Sequence, residues 1–183
     1  MSRIAIISIL TIAGLIAWQS YAVWSMLQNC SVRAHEQIES ADPLDRDPPP
    51  QVRAVVEQNI QIDHLLDFLA TLLLDRYNCR GGANWANGTD WLIDHPLLAR
   101  HLRTSFGKRE VIALFAATAD MGKGDIGLSR GARRIYKRDL SQLSDADLKC
   151  LVLTPFGKQV TSSSSFPEFG FSGCADTVFE TPR

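Results

Sequence analysis

At 183 residues, with 45% hydrophobic and 21% charged side chains, the chain is long enough to bury one core and to carry a further segment at either end. A formal net charge of −1 and a pI near 6.4 lack the basic excess of a nucleic-acid binder. Nucleic acid is therefore excluded as a partner class, and any contact with a polyanion has to be local.

Behind Arg3 the chain runs fifteen residues without a charge, from Ile4 to Trp18, and stays uncharged through Leu27. A bilayer span needs about 20 mainly apolar residues, so residues 1–27 read as a transmembrane anchor, with Trp18, Tyr21 and Trp24 at the far interface. A cleaved signal peptide is the second reading, with Arg3 as its basic start and Ser20-Tyr21-Ala22 as the cleavage site. Both readings put the remainder outside the cytoplasm; a buried core helix is a third. Four cysteines follow, Cys30, Cys79, Cys150 and Cys174, and none is spaced as a metal or redox pair. Three disulfide pairings are open, and proximity along the chain favours Cys30 with Cys79 and Cys150 with Cys174.

Residues 28–50 lose apolar periodicity and end in three prolines, which predicts a linker or stalk. Between Gln51 and Asp75 apolar residues recur at three-and-four spacing, as in a helix packed along one stripe. The Gly- and Asn-rich stretch from Arg76 to Trp91 reads as a loop, in which Trp85 and Trp91 flank Ala86-Asn87-Gly88-Thr89-Asp90 and Asn87 starts a glycosylation sequon; a second sequon starts at Asn29. The tryptophans offer platforms for a sugar ring or simply close the loop. Asp94 is placed to cap a helix with Pro96 in its first turn. A further helix follows from Lys108 and stops at Gly122, another surrounds Ser129 to Arg138, and a last one is opened by Ser144 and Asp147. Residues 51–160 thus read as a mainly α domain, and residues 161–183 as an irregular tail.

Gly122, Gly124 and Gly127 spell a dinucleotide fingerprint. That motif needs a strand before it, whereas the residues here read as helix, so the glycines are expected to supply positive φ in a tight passage between helices. Arg130, Arg133, Arg134 and Lys137 fall at i, i+3, i+4 and i+7. On one helix they form a cationic stripe, suited to an anionic headgroup or pyrophosphate, or else a solvated face balanced by nearby aspartates.

The run from Gly107 to Val152 resembles the C-terminal part of the peptidoglycan glycosyltransferase domain of bifunctional penicillin-binding proteins and monofunctional transglycosylases. Lys108, Glu110, Val111 and Ile112 match the family's Ser-Lys-x-Glu-Ile-Leu helix. Gly122, Gly124, Gly127 and Leu128 match its glycine segment, Ala132 and Tyr136 the next helix, and Leu140, Leu143 and Leu151 the last. The resemblance implies a lysozyme-like helical domain at a bacterial inner membrane, facing the periplasm, with peptidoglycan, its lipid-linked precursor or an envelope protein as partner and no cofactor or metal.

The family's catalytic signatures do not follow. Counting from Ala54, Asn59 and Ile60 stand where its Glu-Asp pair belongs. Of its second signature only Gly81 and Gly82 remain, and His95 occupies the place of a glutamate in its third. Glycan transfer needs a carboxylate to deprotonate the attacking hydroxyl and cations for the departing pyrophosphate. Glu57, two positions early, is the candidate base; Asp63, His64 and Asp67 lie one or two turns on but lack a third ligand for a metal. A degenerate domain that binds an envelope component is therefore expected, with an active enzyme using Glu57 as the alternative.

Overall fold

The computed structural model describes residues 3–79 and 89–160 and is mainly helical. Among the described residues the order is α1 (Arg3–Ser40), α2 (Pro43–Arg46), α3 (Pro50–Asn59), α4 (Ile62–Asp75), α5 (Thr89–Ser105), α6 (Lys108–Thr118), β1 (Asp120–Gly122), β2 (Asp125–Ile126), α7 (Leu128–Tyr136) and α8 (Asp145–Val160). A single 3-10 turn at Leu140–Gln142 joins the last two helices.

From Ser8 to Tyr21 the α1 side chains are exposed, and Leu10, Leu15, Trp18 and Trp24 are all more than half accessible; the helix is long and apolar enough to cross a bilayer. The helix does not stop there. Its second half enters the core through Met26, Cys30 and Ala34, and Leu27 and Ile38 pack on it. The expected stalk at residues 28–50 is thereby corrected. The polar residues that break the apolar periodicity occupy the outer face of one continuous helix up to Ser40, and the inner face is seated by a few apolar side chains and a disulfide. That bond, Cys30–Cys79, joins α1 to the end of α4 as expected. Cys150 is also disulfide-bonded; Cys174 lies outside the described residues, as do Trp85 and the Asn87 sequon.

The long helix expected from Gln51 to Asp75 is two. Ile60 is extended (φ −127°, ψ 123°) and buried, and the Asn59 amide donates to the Val55 carbonyl at 2.7 Å, closing α3 with a side chain. α4 then buries Leu65, Leu66, Phe68, Leu69 and Leu73, and Phe68 meets Phe115 of α6 and Phe156 of α8 in an aromatic cluster at the centre. α5 begins five residues before Asp94, so Pro96 lies inside it and Asp94 is not its cap. Ser144 does cap α8: its Oγ accepts from the Asp147 N–H at 3.2 Å and donates to the Asp147 carboxylate at 2.7 Å.

The glycine segment is an antiparallel hairpin, so the expectation of a helix running to Gly122 fails by four residues. Lys123 and Gly124 both have positive φ, the requirement of a two-residue hairpin turn, and Gly122 (φ 85°) and Gly127 (φ 102°) lie on either side. The expected positive φ is present at all three glycines. What pattern reading missed is that five residues suffice for a two-strand ladder, too few to show alternation.

Candidate functional site

A groove of about 490 Å³ lies between α3, α4, α5 and α6. Its floor is apolar, formed by Val56, Ile60, Leu65, Leu66 and Ile112, and its rim carries Glu57, Arg103 and Lys108. Glu57 projects from the outer face of α3, opposite Val52, Val55 and Val56, which face the core. Lys108 opens α6 and pairs with Glu57 at 3.1 Å, both side chains about half accessible. Arg103, on the last turn of α5, pairs with Asp63. The groove thus combines an apolar surface with two cations that already hold carboxylate partners.

Glu57 is therefore on a groove, paired with Lys108 and with no second carboxylate among the lining residues. Asn59 is folded onto its own helix and Ile60 is in the core, so neither resembled position offers a carboxylate. Asp63 turns to Arg103, while His64 is half-buried and the Asp67 carbonyl oxygen lies 3.0 Å from His95 Nε2. Among the described residues no three His, Cys, Asp or Glu side chains converge. Arg103 was missed by sequence reading because its role depends on packing against a residue forty positions earlier.

The basic stripe lies elsewhere and does not line this groove. Arg133 pairs with Asp42 and Asp139, and Arg134 pairs with Asp125 at 2.6 Å and donates to the Met121 carbonyl. Lys137 is beyond the end of α7 in a left-handed conformation (φ 56°), so it does not extend the stripe by the expected turn. Arg130 borders a second, smaller hollow of about 160 Å³ together with Asp42 and Asp45. These cations clamp the hairpin and α2 to α7; their net charge is largely matched.

Asp45 is the residue whose role the sequence hid most fully. It is 2% exposed, and Ser129 donates to its Oδ1 through both N–H (2.9 Å) and Oγ–H (2.8 Å). The carboxylate caps α7 from 84 positions away, where the helix dipole favours negative charge. Burial nevertheless pushes its pKa up to about 6, against the two Ser129 hydrogen bonds that favour the ionised form. Gly127 is obligatory beside it, because a Cβ there would run into the carboxylate.

Comparison with protein-family models, with curated proteins and with solved structures gave no match.

Proposed function

We propose that the chain is a membrane-tethered, extracytoplasmic envelope protein whose helical domain is related to the lysozyme-like peptidoglycan glycosyltransferases, and which binds glycan strands of the envelope without extending them. The observation that carries this is the occupancy of the resembled Glu-Asp register. An amide bonded to its own helix and a buried isoleucine stand there, and neither can take a proton from a sugar hydroxyl. The three glycines of the resemblance occupy positive-φ positions, which supports kinship of fold. The apolar floor suits the faces of sugar rings, and Lys108 and Arg103 suit the carboxylates of attached acidic groups. A ligand carboxylate can take the place of Glu57 on Lys108, which releases the half-exposed Glu57 carboxylate to water.

The full chain is expected to co-sediment with purified peptidoglycan, and Lys108→Glu to weaken that binding about tenfold, the equivalent of one ion pair at ~1.4 kcal/mol. Equal binding by the variant would remove the groove from the proposal. An active enzyme is the second reading, favoured by Glu57, Lys108 and Arg103 bordering one groove. Incubation with lipid-linked disaccharide decides between them: polymer that forms with the native chain and disappears in Glu57→Gln would establish the enzyme.

A further inference from the structure

The hollow of about 160 Å³ lies where α1, α2, α6, β2 and α7 meet, and it shares no residue with the groove at Glu57. Ala117 and Ile126 give it an apolar side, and polar groups supply much of the rest. Some of those groups are satisfied within the fold. Asp42 accepts from the Leu44 N–H at 3.1 Å through Oδ1 and from Arg133 through Oδ2, and Ser40 Oγ donates to the Gln37 carbonyl at 3.3 Å. Three others have no partner among the described residues: Asp45 Oδ2, the Arg130 guanidinium and the Gln37 side-chain amide.

Asp45 is the most informative of the three. Its side chain is 2% exposed, and both Ser129 donors converge on Oδ1. Among the described residues the one fully enclosed side-chain polar atom without a hydrogen-bond partner is Arg134 Nε, so Asp45 Oδ2 is not sealed in the core and opens to the hollow that Asp45 lines. Gly127 leaves it room, because a Cβ there would meet that same oxygen. Arg130, exposed on α7, stands near enough to favour the charged form of Asp42, yet it forms no ion pair with Asp42 or Asp45. An anion and a cation thus face one small space without touching. Water would satisfy Oδ2 and the amide, but would leave the buried carboxylate without a counter-charge of its own. A molecule with an ammonium and a carboxylate on one carbon matches both groups, the carboxylate through the two-pronged pairing that a guanidinium favours. The Gln37 amide can donate to one end of such a molecule or accept from the other.

We propose that this hollow binds a small zwitterion of the α-amino acid class, with its ammonium on Asp45 Oδ2, its carboxylate on Arg130 and its short side chain against Ala117 and Ile126. The ammonium takes the ionised form of Asp45. Burial raises that pKa to about 6, with Asp42 raising it and Ser129 and Arg133 lowering it. From α7 the exposed Arg130 also faces the hollow, while α1, α6 and β2 face it with Gln37, Ser40, Ala117 and Ile126, which do not titrate. Binding is therefore strongest above pH 6 and is lost as pH falls through it, by about tenfold between pH 7 and pH 5.

The test is nuclear magnetic resonance of the full ¹⁵N-labelled chain in detergent micelles, titrated with glycine and L-alanine and, as probes with one charge each, acetate and methylamine. At pH 7 the amino acids should shift the Ala41, Ile126 and Gly127 amides saturably, with Kd on the order of 1 mM, and each single-charge probe should bind about tenfold more weakly or worse. Asp45→Asn keeps an acceptor for Ser129, and Arg130 is exposed without an ion pair, so Asp45→Asn and Arg130→Gln should both fold and each lose about tenfold in affinity or more. No saturable shift up to ~50 mM, well above that Kd, would mean that the hollow holds water alone and would overturn the proposal. Acetate binding as tightly as L-alanine, shifts confined to the Glu57 groove, or native affinity in Asp45→Asn would overturn it equally.

Discussion

Asp45 is a carboxylate held where water barely reaches, and its titration runs against the usual direction for an aspartate. The unfolded chain binds its proton near pH 3.9, the folded chain near 6. Between those values the folded state holds the extra proton, so the stability owed to this group is greatest below about pH 4 and is lost as pH rises through 6. Asp42, lowered by the Arg133 hydrogen bond, acts in the opposite sense and at lower pH, and His101, lowered by burial, opposes Asp45 below about 6.5. Asp45→Asn keeps an acceptor for Ser129 and removes the titration. The native chain should therefore lose on the order of 2–3 kcal/mol relative to the variant between pH 4 and pH 7, measured by urea denaturation at each pH. An unchanged difference would place Asp45 in water. Gly127→Ala tests the same contact sterically, since it meets both φ 102° and the Asp45 carboxylate; a loss of about 2 kcal/mol or more is expected in the same assay.

Among the elements, those with several turns of one period were legible and those built by pairing were not. α4 and α6 announce themselves through Leu65, Leu69 and Leu73 or Val111, Ile112 and Phe115, because burial of one stripe is a local, repeated demand. The hairpin and the break at Ile60 are local but too short to show a period, and the capping of α7 by Asp45 spans 84 positions, which no window of sequence contains. The groove was half legible for the same reason: Glu57 was found by counting from Ala54, whereas Arg103 and Lys108 reach it from two other helices. The Cys30–Cys79 bond closes a loop of 49 positions between α1 and α4. Replacing both cysteines by alanine should lower stability by roughly 2–4 kcal/mol, measured by thermal or urea denaturation. A variant that melts like the native chain would mean that packing alone holds α1 in place.

For the whole molecule, the domain boundary lies earlier than composition suggests. Met26, Cys30 and Ala34 of α1 are core residues, and Asp45 of α2 caps α7, so a chain starting at Gln51 lacks one wall and one cap. Such a fragment should show no cooperative thermal transition, whereas one starting at Trp24 should melt as a single unit; calorimetry of the two separates a structural α1 from a dispensable tether.

The unbroken α1 also has a mechanical meaning. With Met26 and Cys30 seated in the core only a few residues after Trp24, there is no swivel between the exposed apolar part of α1 and the globule it carries. Were α1 to span a bilayer as proposed, any leaning of it imposed by lipids of another thickness would reappear as a leaning of the whole body, and the mouth lined by Glu57 would turn with it.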